Sequence, residues 1–227
     1  MPVLLTENRI QDYGPNCVLA AGLRDLAAIE DAGWVIAGTP AIVTTPWGRG
    51  MEFDGTADYI QCVSGAAPGN ILIPDTFSVE CLIKLNSQGE NPILRFGTTT
   101  TPIIGAQWGT TRAIIYMGPS NYRYFDHSPV NIIDGGWHHL IFTMPGSAQL
   151  DIDDSVMYAD GQAQTVNSTN NTGPQAGKTA CFIGYFAGGA ARWFNGTMKF
   201  INLYNTVLTA NDALRRYERV IGAIQNP

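Results

Sequence analysis

Strict two-residue alternation constrains this chain more than any other feature. Between Phe77 and Leu85, the side chains of Phe77, Val79, Cys81, Ile83 and Leu85 share one parity, and Ser78, Glu80 and Lys84 share the other. Successive side chains of an extended strand point to opposite faces, so this pattern predicts a strand with one buried side and its charges facing outward. Similar short runs occur at Met51 to Phe53, Tyr59 to Val63, Ile93 to Phe96, Ala113 to Met117, Trp137 to Met144, Cys181 to Tyr185 and Met198 to Tyr204. Turn signals punctuate them: Asp54-Gly55, Asp134-Gly135-Gly136, Pro145-Gly146 and Asp160-Gly161. Many short strands with such punctuation predict an all-β chain, a two-sheet antiparallel β-sandwich of jelly-roll type.

One short C-terminal helix is expected. Thr209 stands as its N-cap, and Asp212 falls where an acid reaches back to the cap. Leu214, Tyr217 and Ile221 follow at helical spacing, and Gly222 is the expected stop. Leu19 to Ile29 reads as a weak helix, and Ser168 to Gly177 as a polar loop. The expected organisation is a single domain, with residues 1–32 an extension packing on a sandwich formed by 33–227.

Charge narrows the function. Only 14% of the 227 residues are charged, the net charge is -6, and the Lys and Arg residues are scattered. A nucleic-acid partner is therefore not expected, because phosphate binding needs clustered cations. Neutral polar residues must supply solubility, which leaves room for an uncharged contact surface. No apolar run approaches the roughly 18 residues of a membrane span, and Met1 to Glu7 lacks the basic start of a secretory signal. Without that signal, Cys17, Cys62, Cys81 and Cys181, which show no CxxC spacing, read as buried reduced thiols. The sequons at Asn167, Asn170 and Asn195 then read as chance matches.

Several stretches, in order, resemble the laminin-G-like branch of the concanavalin A-like lectin/glucanase superfamily. They are Gly48 to Ile60 around Phe53-Asp54-Gly55, Phe77 to Lys84, Gly136-Trp137-His138-His139-Leu140, Val156 to Gly161, and Phe194 to Met198 followed by Leu203 to Thr209. The resemblance runs from about residue 33 to 221 and implies a concanavalin A-like sandwich. Within it, Asp54-Gly55 would turn a hairpin, Trp137 would fill the space between the sheets, and Gly196 would let two strands approach closely. The N-terminal extension and an insertion between Thr143 and Val156 depart from the pattern.

Catalytic groups are not evident. Glycoside hydrolases of this fold need paired carboxylates on one strand face, and no Glu-x-Asp-x-Glu run exists; Gln149, Asp151 and Asp153 are the nearest approach. Asp151 and Asp153, with Asp154 beside them, form the best calcium candidate, and the resemblance implies such a site at a sheet rim. A solvated acidic turn is the favoured reading of the same residues, because no calcium-loop spacing supports them. Asp54 and Asp58 read as turn formers. His138 and His139, adjacent on a strand, face opposite sides and cannot share a metal; one is expected to be packed and the other exposed. His127 stands alone. Trp108, Tyr116, Tyr122, Tyr124 and Phe125 could stack on sugar rings, but core packing is the favoured reading. Gly184 to Arg192 reads as a flexible loop.

The leading expectation is a non-enzymatic structural or interaction protein. The resemblance implies a phage-type virion accessory protein, decorating a capsid or associated with a tail, made in the host cytoplasm and carried on the virion. Its partners would be proteins, in a homo-oligomer or virion shell. The alternative is a carbohydrate-binding lectin or adhesin, calcium-dependent or not, and the remote alternative a glycanase.

Overall fold

The computed structural model describes residues 3–4, 17–31, 33–62, 76–96, 103–109, 112–118, 120–146, 152–172, 181–188 and 190–225. In chain order the strands are β1 (Val3–Leu4), β2 (Cys17–Gly22), β3 (Val35–Ala37), β4 (Ala41–Thr45), β5 (Gly48–Asp54), β6 (Tyr59–Cys62), β7 (Phe77–Leu85), β8 (Asn91–Phe96), β9 (Ile103–Trp108) and β10 (Arg112–Gly118). There follow β11 (Asn121–Asp126), β12 (Trp137–Met144), β13 (Val156–Ala159), β14 (Gln162–Ala163), β15 (Val166–Asn171), β16 (Cys181–Ile183), β17 (Tyr185–Gly188), β18 (Ala190–Trp193) and β19 (Asn195–Tyr204). Helix α1 is Leu26–Asp31 and helix α2 is Ala210–Gln225.

Two large sheets form the sandwich. One runs β1-β2-β19-β7-β12-β13-β14, with β5 also on β19 and β4 on β5; the other runs β15-β11-β10-β9-β8-β16-β6-β3. Inward side chains from both sheets, including Phe53, Phe77, Val79, Phe96, Ile115, Phe125, Phe142 and Leu203, make one continuous core. Gly196 sits where β19 passes β7: a Cβ there would lie 2.1 Å from the Lys84 carbonyl oxygen, so the close approach expected from the sequence is real.

The strand that defined the pattern has two buried faces, not one. Ser78 and Glu80 on its outer face are buried. The reason is α2, which lies across this sheet: Ala213 packs with Ile141, Tyr158 and Tyr204, while Val220 packs with Leu82 and Phe200. The helix begins as read, since the Thr209 amide donates to Asp212 Oδ2 at 2.9 Å and the Asp212 amide donates to Thr209 Oγ1 at 3.2 Å. It continues past Gly222, and Leu214, expected on its packed side, is exposed. Trp137 is not between the sheets; it packs under α2, edge-to-face with Trp47 at 5.3 Å, and the Trp47 indole donates to the Val220 carbonyl at 2.8 Å.

Other expectations also change. Leu19 to Gly22 is strand rather than helix, because β2 pairs with β19 through Ala20 and Ala21. Ser168 to Asn171 belongs to β15, paired with β11, and 173–177 lie outside the described residues. Asp54-Gly55 joins strands of different sheets, so it is a crossing and not a hairpin. Gly184 to Arg192 is no loop: β17 and β18 form a hairpin with Tyr185 opposite Trp193. Cys17, Cys81 and Cys181 are free and buried. Among the described residues no helix is long and apolar enough to cross a membrane.

Candidate functional site

The motifs that fall on described residues have definite places. Asp54 accepts hydrogen bonds from the amides of Thr56 at 2.7 Å and Ala57 at 2.9 Å, and from the Thr56 hydroxyl. That hydroxyl bond, helped by the amides, holds the Asp54 carboxyl below its ordinary range. Asp58 is buried and accepts from the Thr39 amide at 2.7 Å and the Asp54 amide at 3.0 Å. Both are turn formers.

His138 and His139 do face opposite sides, but both are buried. His138 lies between Asp160 at 2.8 Å and Asp134 at 2.9 Å. Burial opposes its charge, yet those two carboxylates prevail and raise its pKa. His139 lies under α2, where its Nε2 donates to Glu80 Oε1 at 2.9 Å. Around the other carboxylate oxygen gather Tyr204 OH at 2.5 Å and Asn202 Nδ2 and Arg216 Nη1 at 3.1 Å. Burial would raise the Glu80 pKa, but these partners reverse it and bring it to about 2. This carboxylate fastens the helix to the sheet, and it is fully enclosed.

Of the acidic calcium candidate, Ile152–Asp154 is a 3-10 turn rather than a strand, which agrees with the favoured reading of an acidic turn. Asp153 and Asp154 are exposed, Asp153 accepts from Asn171 Nδ2 at 3.3 Å, and Gln149 and Asp151 lie outside the described residues. Among the described residues no three His, Cys, Asp or Glu side chains converge to hold a metal. The aromatic candidates separate: Phe125 is core, whereas Tyr122 and Tyr124 pair at 5.0 Å on the opposite face, with the Arg112 guanidinium 4.9 Å above Tyr124. Tyr116 lies opposite Tyr122, and the Trp108 side chain is outside the described set. His127 Nε2 meets the Ala106 carbonyl at 3.2 Å.

A cleft forms elsewhere. About 350 Å³ in volume, it is bounded by the turn at Gly55, the β7–β8 loop (Ser87 to Glu90), Asn91, the β18 residues Arg192 and Trp193, and Asn195. Asn91 shapes its floor: its Oδ1 accepts from the Asn195 amide at 2.9 Å, and its Nδ2 donates to the Ser87 and Gly89 carbonyls at 3.3 Å. Glu90 forms an ion pair with Arg192, tying the loop to the hairpin. Trp193 is half-buried, with its ring 6.0 Å from Tyr185, which stacks on Tyr59 at 4.6 Å. Amide, hydroxyl and carboxyl groups around one indole suit a ligand with apolar ring faces and many hydroxyls. Among the described lining residues Glu90 is the one carboxylate, and it is ion-paired with Arg192. Trp193 escaped the sequence reading because it falls between Gly184 to Arg192, read as a loop, and the Phe194 to Met198 stretch, and only the Tyr185–Trp193 pairing brings it to the rim.

A profile of the concanavalin A-like lectin/glucanase superfamily, of laminin-G type, matches residues 54–213. The chain belongs to that superfamily. No curated protein matches it in sequence. Among solved structures sharing this concanavalin A-like fold is domain 4 of an extracellular GH43 arabinanase from Geobacillus stearothermophilus, solved in complex with arabinotriose. It is 19% identical with a TM-score of 0.58, over 87% of this chain and 86% of that one. The receptor-binding domain of the botulinum neurotoxin C/D mosaic is 16% identical with a TM-score of 0.62, covering 89% of this chain and 51% of that one. The binding domain of Paraclostridial Mosquitocidal Protein 1 is 12% identical with a TM-score of 0.58, covering 89% and 52%. The chain thus spans about half the length of the toxin domains. At these identities the likeness concerns the fold.

Proposed function

We propose that this chain is a non-catalytic binding module that takes a glycan into the cleft beside Trp193. The observation that carries the reading is the composition of that cleft, hydroxyl and amide groups around one half-buried indole, with the one carboxylate among its described residues ion-paired. The arabinotriose complex of a structural neighbour supports a sugar as the class of ligand. On a glycan array the protein is expected to retain oligosaccharides. Trp193→Ala is expected to weaken binding at least tenfold, the loss of about 1.4 kcal/mol of ring contact. A flat array, or reducing ends released from the bound glycans, contradicts the reading.

The virion setting is part of the same proposal. Strand β15 ends the sheet order and is largely exposed, and every residue from Val166 to Asn171 is uncharged. Such an edge suits contact with a protein neighbour in an oligomer or shell. Mass spectrometry of purified particles tests it: the chain is expected among the particle proteins, and its absence contradicts the virion assignment.

A further inference from the structure

Arg95 occupies the middle of β8 with its neighbours Leu94 and Phe96 in the core, so its own side chain leaves from the outer face of the sheet. It is nevertheless only 1% exposed. Its Nε and Nη1 are buried without a hydrogen-bond partner among the described residues. What surrounds the guanidinium is aromatic: Phe182 at 4.7 Å and Tyr185 at 5.6 Å from the ring centres. Ring faces compensate a cation in part, but they satisfy none of its N–H groups. A buried cation with unpaired donors is costly, and in native structures such groups are completed by an ordered water, an ion or a ligand.

The setting says where that ligand comes from. Strands β17 and β18 pair only with each other, outside both large sheets, and pack on β8. Tyr185 of this hairpin lies over the Arg95 guanidinium, and no strand ladder among the described residues joins the hairpin to either large sheet, so its movement is what would open Arg95 to a ligand. Along it runs a row of rings, from Trp193 in the cleft to Tyr185 at 6.0 Å, then to Tyr59 at 4.6 Å and Phe182 at 6.0 Å. Asn91, in the cleft, and Arg95 are four residues apart on one strand, so at most about 13 Å separates them, less where the register shifts at Pro92. A short oligosaccharide bridges that distance.

We infer that Arg95 receives a carboxylate carried by the glycan of the cleft, so that the ligand contains a uronic-acid type of sugar. The inference rests on the glycan reading above and names the ligand's charge. The planar guanidinium presents paired N–H donors to both carboxylate oxygens, and the flanking rings stack on the sugar. The lowered pKa of Arg95, caused by its burial, is the feature an incoming anion would reverse.

The test uses the intact protein with arginine labelled by nitrogen-15, following the Nε–H signal of Arg95. D-glucuronate is expected to shift it saturably and D-glucose to leave it in place. A uronic-acid oligosaccharide is expected to bind at least tenfold more tightly than its carboxyl-reduced form. Arg95→Met, which keeps the stem in place, is expected to abolish that preference and leave neutral-glycan binding intact. Should this variant fail to fold, the Nε titration of the unaltered protein still decides. A silent Nε signal under glucuronate overturns the inference, as does an equal response to N-acetylglutamate amide, which would assign the site to an acidic peptide. Glycan binding indifferent to the carboxyl group sinks the Arg95 site and spares the cleft. No glycan binding together with a silent Nε sinks both.

Discussion

Glu80→Ala is expected to destabilise the protein by about 3 to 5 kcal/mol, the usual cost of removing one partner from a buried charged pair. In a chain of this size each kcal/mol moves the melting temperature by roughly 2 to 4 °C. The cost is high because the carboxylate is shared. Its Oε1 accepts from His139, and its Oε2 accepts from Tyr204, Asn202 and Arg216. Without it His139 and Tyr204 lose their acceptor beneath α2, and Arg216 and Asn202 are left with the Tyr204 hydroxyl in place of a carboxylate. Arg216→Met should cost less, since Glu80 would keep His139, Tyr204 and Asn202. The same carboxylate carries a pH signature. Its pKa falls from an ordinary 4.5 to about 2 in the folded protein. Its contribution is therefore fully present above about pH 4.5 and lost as pH falls from there through about 2. The stability gap between the natural protein and Glu80→Gln should narrow across that window. Chemical denaturation at pH 7 and at pH 3 measures both effects, and Glu80→Ala within about 1 kcal/mol of the natural protein at pH 7 would contradict the account.

Gly196→Ala is expected to cost at least the upper end of the roughly 1–3 kcal/mol typical of overpacking. The new methyl would sit 2.1 Å from the Lys84 carbonyl oxygen and 3.1 Å from the Leu85 Cα. Those are backbone atoms of β7, which is paired on its other side with β12, so neither can retreat without breaking register. Gly222→Ala supplies the contrast. Nothing lies within 4 Å of its added methyl, in the last turns of α2. There alanine should stabilise by about 0.5 to 1 kcal/mol, because it lowers the entropy lost on helix formation. Opposite signs for one substitution at two positions would be read directly from paired urea melts, and equal effects would contradict the packing described.

What the sequence revealed and what it withheld follow from the range of the interactions. Alternation in Phe77 to Leu85 is local, and it placed a strand correctly with Phe77, Val79 and Cys81 inward. The cap at Thr209 and Asp212 is also local, and it was legible to the residue. Glu80 looked solvent-facing because the pattern records which residues share a face, not what later covers it. Here α2, more than 120 residues further along, covers it, and charge on one face of a strand signals solvent only when that face stays open. The cleft was illegible for a related reason. Its lining comes from Gly55, the Ser87 to Asn91 stretch and the Ala191 to Asn195 stretch, and the motifs at Gly55 and Asn195 were read for turn and strand packing, with nothing local to say that they meet. The acidic run was legible as a solvated turn: residues 152–154 close into a tight turn with Asp153 and Asp154 exposed, and only the extended alternative fails there.

The central claim is that ligand enters beside Trp193, and the five tryptophans supply a direct report. With nitrogen-15 in the indoles, and Trp193→Phe used to assign its signal, an oligosaccharide retained on the array is titrated in. The Trp193 signal is expected to shift saturably, while those of Trp34 in the core and of Trp47 and Trp137 under α2 stay in place. A bound glycan that leaves the Trp193 indole unchanged would contradict the account.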